Sequence, residues 1–157
     1  WAATCRDNVA VARLLAAGAD PNLKGRLEGR TALMWAAAQG DRPTFESLLS
    51  RHPNVNLTDQ RGRTALLEAI RREDSEMVTL LISHGADVNS KNEDGASALM
   101  LAVANRDLNA VRVLLRAGAD PNTRNPAGTT VLQLAAEQRQ RANGAEIFEL
   151  LSATPRK

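Results

Sequence analysis

The sequence Arg63-Thr64-Ala65-Leu66 has close relatives along the chain at a fixed spacing. Similar quartets occupy residues 30–33, 96–99 and 129–132, so that successive copies begin 33 residues apart. A second pattern, Gly-Ala-Asp-x-Asn, occurs at residues 18–22, 85–89 and 118–122, and its last two copies are also 33 residues apart. A repeat of this length predicts a stack of small supersecondary units, each of which buries its apolar face against its neighbours.

One copy of the repeat predicts two short helices. Thr64 can cap the start of the first helix, and Gly85 can end the second helix in a left-handed conformation. Apolar residues recur at helical spacing in both segments. Isolated helices this short are marginal in water, so their apolar stripes must be covered by adjacent units. We therefore expect Leu66, Leu80 and Leu81 to be buried between units.

The combined pattern T-A-L-x-x-A, V-x-x-L-L and x-G-A-D-x-N resembles the ankyrin repeat, whose usual form is T-P-L-H-x-A with the same period. The resemblance covers essentially the whole chain. It implies an all-α ankyrin-repeat solenoid of about five 33-residue helix-turn-helix units with β-hairpin-like finger loops. We expect one domain, 1–157, with units at about 1–22 (partial), 23–56, 57–89, 90–122 and 123–157, the last a C-terminal cap. Trp1 aligns with Trp35, so the chain is expected to begin inside a first helix.

Several positions depart from the usual ankyrin pattern. His52 and Pro53 replace the Gly-Ala pair that ends the second helix in other units. A left-handed His52 would cost about 1 kcal/mol relative to glycine, whereas Pro53 favours an extended residue before it. One extra residue is placed in the loop 23–30, and about three lie around 141–144. The histidine of the family motif is replaced, mostly by apolar residues, at Met34, Leu67, Met100 and Gln133.

Composition limits the class of protein. The net charge of +2, from 20 basic and 18 acidic residues, is too small for a dedicated nucleic-acid binder, and few aromatic rings are present for base stacking. No apolar run approaches the roughly 18 to 20 residues that span a bilayer, so we expect no membrane insertion. Residues 1–20 lack the pattern of a signal peptide, but this absence decides little because the sequence opens on Trp1 rather than Met. The compartment is left unknown, with a cytoplasmic protein favoured over a secreted one.

No constellation of residues indicates catalysis or a metal site. His52 and His84 are 32 residues apart, and the single Cys5 has no partner cysteine for a zinc site. Neither glycine-rich phosphate motif occurs. We therefore expect no enzymatic activity and no cofactor.

The resemblance implies that partner-binding residues lie on the finger tips and the exposed side of each first helix, along one concave face. Carried onto this sequence, the candidate residues are Arg30, Trp35, Gln39, Arg61, Arg63, Arg71, Arg72 and Asn105. Because arginine forms forked pairs with carboxylates, an acidic segment of a partner protein would suit them. The alternative is that the arginines form a solvated face, partly paired with Glu68 and Glu73. Trp35 either packs between units or shows an edge to the groove, and the first is favoured.

Three functions remain open at this stage. A non-catalytic adaptor that binds a partner protein as a monomer is favoured. The alternative is a structural or self-associating repeat segment of a larger multidomain protein. An enzyme, or a nucleic-acid binder that uses the arginines, is least favoured.

Overall fold

The computed structural model describes residues 2–26 and 28–154, so Trp1 and its predicted place in a first helix lie outside the described residues. Over these residues the chain forms nine α-helices and two isolated antiparallel bridges. The helices are α1 (Asn8–Ala16), α2 (Ala32–Gln39), α3 (Arg42–Leu49), α4 (Ala65–Arg71), α5 (Ser75–Ser83), α6 (Ala98–Asn105), α7 (Leu108–Arg116), α8 (Val131–Gln138) and α9 (Gly144–Ala153). Helices α2, α4, α6 and α8 are the first helices of their repeats, and α1, α3, α5, α7 and α9 are the second helices.

The chain divides into two compact parts, an N-terminal half (Trp1–Ala86) and a C-terminal half (Asp87–Lys157). In the N-terminal half, α2 packs against α3 and α4, α4 packs against α5, and α1 packs against α3. In the C-terminal half, α6 packs against α7 and α8, while α9 packs against α8 and α7. Helices therefore pack both within a repeat and between successive repeats, and the predicted all-α repeat fold is confirmed.

Side-chain caps fix the start of eight of the nine helices in the described part of the chain. The Thr64 hydroxyl accepts a hydrogen bond from the N–H of Leu67 at 3.3 Å, so the predicted cap is confirmed. Equivalent hydroxyl caps precede the other first helices at Thr31, Ser97 and Thr130. Second helices use a carboxylate instead, at Asp7, Asp41, Asp74 and Asp107. Each cap satisfies a backbone donor that the first helical turn leaves unpaired.

A hairpin-like loop, called here the finger, precedes each first helix. In the third repeat the N–H of Asp59 donates to the carbonyl of Arg63 at 2.9 Å, and the tip residue Gly62 has φ +67°. The next finger has an antiparallel bridge between Lys91 and Ser97. Each finger therefore places the residues of its turn next to the N-terminus of the helix that follows.

The second helices end as expected, including the irregular one. Gly18, Gly85 and Gly118 have φ of +88°, +84° and +89°. His52, at the same repeat position, has φ +49°, so it adopts the left-handed conformation even though Pro53 follows it. The first of the two alternatives for His52 is therefore the one observed.

The core lies between the helices and contains most of the predicted apolar stripe. Leu66 and Leu81 are fully buried, but Leu80 is only half-buried, so its predicted burial is wrong. Successive helical residues point about 100° apart, and the buried stripe of α5 consists of Met77, Val78 and Leu81. Leu80 lies at the edge of that stripe.

Candidate functional site

Seven of the eight candidate residues lie in the N-terminal half. Fingers carry Arg30, Arg61 and Arg63, while α2 carries Trp35 and Gln39. Arg71 is the last residue of α4 and Arg72 is its C-cap. Asn105 is the last residue of α6 in the C-terminal half.

Arg30 and Arg63 are built into a buried network with two carboxylates. The side chain of Arg30 is 9% exposed, and those of Asp59 and Glu68 are 1% and 4% exposed. Nη2 of Arg30 donates to Oε1 of Glu68 at 2.8 Å, and its Nε lies 3.4 Å from Oδ2 of Asp59. The network joins the finger of the second repeat to the finger and first helix of the third.

The Asp59 carboxylate uses both of its oxygens. Oδ1 accepts from the backbone N–H groups of Arg61 and Arg63, each at 2.9 Å. Oδ2 accepts from Nε of Arg63 at 2.8 Å and lies 2.7 Å from its Nη2. Burial alone would raise the pKa of this carboxyl, but the hydrogen bonds from Arg63 and Arg61 outweigh burial and the pKa is lowered. Burial would likewise lower the pKa of Arg63, but its bond to Asp59 and the charge of Glu68 raise it.

Two half-exposed residues complete the network at its rim. Glu28 lies 3.0 Å from Nε of Arg30, and Nη1 of Arg71 donates to Oε2 of Glu68 at 3.3 Å. We call the six residues the charge cluster: Glu28, Arg30, Asp59, Arg63, Glu68 and Arg71. The charges of its three arginines and three carboxylates cancel. Arg30 and Arg63 therefore have carboxylate partners within their own chain, namely Asp59 and Glu68. Pairing with Glu68 agrees with the alternative raised above, whereas no ion pair of the described residues includes Glu73.

Trp35 lies against the charge cluster. The guanidinium carbon of Arg30 is 4.8 Å from the centroid of the Trp35 ring, within the range of a cation–π contact. The Trp35 side chain is half-buried. It therefore both packs against the cluster and retains part of its surface for solvent.

Gln39 and Arg72 occupy the same repeat position and both reach back to the preceding repeat. Nε2 of Gln39 donates to the carbonyl of Thr4 at 2.8 Å. The Arg72 side chain crosses the face of Gly40, where an added methyl group would lie 2.8 Å from its Cζ and 2.9 Å from its Nη2. Arg72 is exposed, and its side chain has no hydrogen bond or ion pair with the part of the chain that the structure describes.

The charge cluster was not predicted as a unit, although the sequence contains a signal for it. Asp59 stands where the later fingers have Asn92 and Asn125, whose amide oxygens accept the same kind of backbone hydrogen bond. Glu68 stands where the first helices of those repeats have leucine. Two carboxylates at positions that are neutral in those repeats, both close in sequence to Arg63, indicate buried ion pairs.

The described residues show little that would support a metal site or a membrane span. Among residues 2–26 and 28–154, no three His, Cys, Asp or Glu side chains are placed to hold a metal ion. None of the helices in those ranges is long and apolar enough to cross a membrane.

Comparison with known families agrees with the repeat pattern and the paired helices. A family model described as ankyrin repeats matches the chain in three overlapping copies, at residues 1–92, 33–125 and 86–155. The chain belongs to the ankyrin repeat family. Ankyrin repeats generally serve as protein–protein interaction modules, and the family is typically non-catalytic. A search of curated proteins found no match.

Proposed function

We propose that this ankyrin-repeat protein binds an acidic segment of a partner protein through the exposed arginines of its N-terminal half. The observation that carries the proposal is the state of Arg72, whose exposed guanidinium has no partner among the described residues. The neighbouring Arg71 is 54% exposed, and within the described residues its guanidinium forms a single ion pair, with Glu68. A guanidinium without a carboxylate partner can accept one from another protein without first breaking a bond within its own chain.

The other candidate residues position the exposed arginines or add contacts with the partner in this proposal. Arg30 and Arg63 hold Asp59 and Glu68, and Glu68 in turn holds Arg71. Trp35 supplies a half-exposed ring beside them. Arg61 lies on the exposed tip of its finger, and Gln39 and Asn105 occupy the repeat position of Arg72. We propose these last three as additional contacts with the partner.

The test measures binding of the full chain to a dye-labelled peptide of alternating Glu and Gly residues, with a Gln-Gly peptide for comparison. At low salt, we expect the acidic peptide to bind more tightly than the Gln-Gly peptide. Arg72→Glu should weaken this binding roughly 100-fold, because charge reversal adds repulsion to the lost pairing. Its thermal melt should change little, since Arg72 is exposed.

Arginines on second helices provide the matched control. Arg13 on α1 and Arg116 on α7 are exposed, and Arg13→Glu with Arg116→Glu changes more charge than Arg72→Glu does. Arg112 is less suitable because it forms an ion pair with Glu146. Equal loss of binding in the control and in Arg72→Glu, or equal affinity for the two peptides, would argue against the proposed surface.

Self-association is a second candidate, favoured by one observation in the first repeat. Leu14 is 53% exposed, whereas Leu48 and Leu81, at the same repeat position, are 1% and 0% exposed. Val9 and Leu23 are also exposed. Exposed apolar side chains in one repeat can contribute to the binding of a second copy of the chain.

A further inference from the structure

Gly40 and Arg72 fit together across two successive repeats. Gly40 follows α2, and Arg72 caps the end of α4, the next first helix. The guanidinium of Arg72 occupies the space that a side chain at position 40 would need, and a methyl group there would overlap Nε of Arg72. A residue with a side chain at position 40 would therefore displace Arg72.

Backbone conformation alone does not account for glycine at position 40. Its φ is +67°, a value that normally favours glycine. However, Arg6, Glu73 and Arg106 occupy the same turn position in other repeats, each directly before the aspartate that caps the second helix, with φ of +58°, +62° and +58°. Since other side chains tolerate this turn, the feature specific to Gly40 is the close approach of Arg72.

We infer that Gly40 is a positioning residue, whose missing side chain leaves the space in which the Arg72 guanidinium lies against the preceding repeat, placed to receive a carboxylate of the partner. This inference rests on the proposed function. Holding the long arginine side chain in one place before binding reduces the conformational entropy lost when the partner binds. Arg72 is then the principal anchor of an acidic segment, and the pairing of Gly40 with Arg72 is specific to these two repeats.

The surroundings of Arg72 also explain why two of its neighbouring carboxylates, Asp74 and Glu76, do not neutralise it. A surface groove beside Arg72 is lined by Arg42, Arg72, Glu73, Asp74, Ser75 and Glu76. Arg42 pairs with both Asp74 and Glu76, and Asp74 also caps α5. Glu73 lines the same groove and has no ion pair within the described residues, so we expect it to be the one nearby carboxylate that competes with a partner for Arg72. Glu73→Gln should accordingly strengthen binding of the acidic peptide.

The experiment compares Gly40→Ala, Arg72→Ala and the double variant in the full chain. We expect Arg72→Ala to weaken binding of the Glu-Gly peptide about tenfold, the loss of one charge-assisted contact. Gly40→Ala should weaken it by a similar factor, and the double variant should be no weaker than Arg72→Ala, because both changes remove the same contact. In the free protein, the side-chain Nε–Hε NMR signal of Arg72 should shift in Gly40→Ala towards the position typical of an unrestrained arginine.

Gly85→Ala is the matched control for backbone strain. Gly85 has φ +84°, and a methyl group there would meet nothing within 4 Å. It should cost stability as Gly40→Ala does, but leave the peptide affinity and the Arg72 signal unchanged. An unchanged Arg72 signal in Gly40→Ala would overturn the positioning role of Gly40. A shifted signal with no loss of peptide binding in Gly40→Ala would overturn the contribution of that placement to binding. Unchanged binding in Arg72→Ala would overturn Arg72 as the anchor, and a wild-type chain that binds neither peptide would overturn the acidic partner itself.

Discussion

At the scale of single residues, one exchange distinguishes the finger of the third repeat from the later fingers. Asn92 and Asn125 close their fingers by accepting a backbone N–H through a neutral amide. Asp59 closes its own finger with Oδ1 in the same manner, and its second oxygen carries a charge that binds Arg63 and approaches Arg30. A local turn residue has thus become the link between two repeats.

Asp59→Asn keeps the turn but removes the charge. We expect it to destabilise the protein by about 3 kcal/mol, since it leaves buried arginines short of a partner. The measurement is a denaturant melt. Asp20→Asn is the control, because Asp20 is exposed and accepts a similar local hydrogen bond from the N–H of Asn22. A loss no larger than that of Asp20→Asn would show that the charge cluster contributes little to stability.

The lowered pKa of Asp59 also predicts a pH dependence. A carboxyl whose pKa is lower in the folded than in the unfolded chain stabilises the fold at pH values above its ordinary pKa of about 3.9. This contribution is lost as the pH falls below that value and through the lowered pKa. Unfolding free energies measured between pH 5 and pH 2 should therefore fall less steeply for Asp59→Asn than for the wild type. Identical slopes would show that another carboxyl accounts for the acid sensitivity.

His52 is a position where the side chain conflicts with the backbone conformation. It is left-handed with φ +49°, at a site where glycine ends the other second helices of the described repeats up to α7. His52→Gly should stabilise the protein by about 1 kcal/mol, because glycine adopts this conformation without steric cost. Thermal or denaturant melts measure the change. A destabilised variant would mean that the imidazole makes contacts worth more than the strain.

At the scale of helices, the sequence predicts where elements begin and end better than it predicts which apolar side chain is buried. Caps and stops such as Thr64 and Gly85 depend on neighbours within one turn, so local sequence is sufficient. Leu80 and Leu81 both fit an amphipathic helix, and only packing against neighbouring helices separates them. The charge cluster was harder still, because Arg30 meets Asp59 and Glu68 from 29 and 38 residues away.

Adjacent leucines in α5 give a direct test of that packing. Leu81→Ala should cost about 2 to 5 kcal/mol through lost burial and the cavity that remains. Leu80→Ala should cost clearly less, because the side chain is already half in contact with water. Denaturant melts of the two variants provide the comparison. Equal losses would mean that α5 is rotated so that Leu80 enters the core as fully as Leu81.

At the scale of the whole molecule, the first repeat carries the observation that favours self-association over the adaptor function. Leu14 exposes 53% of its surface, while Leu114 in α7 at the same repeat position is fully buried. In a repeat stack, neighbouring repeats bury the side chains at this position. If the chain self-associates, a second copy would bury Leu14 instead. An adaptor that binds through Arg72 needs no such contact, since the arginine surface and Leu14 belong to different repeats.

We expect the chain to remain a monomer of 16.9 kDa in light scattering over a wide range of micromolar concentrations. One exposed leucine with scattered apolar neighbours offers far less area than the roughly 1,200 Å² that specific interfaces bury. Leu14→Ser should then change neither the mass nor the binding of the acidic peptide. A mass that rises with concentration in the wild type, and returns to that of a monomer in Leu14→Ser, would instead establish self-association through the first repeat. Arg72→Glu should leave the mass unchanged in either case, so scattering and peptide binding test the two functions independently.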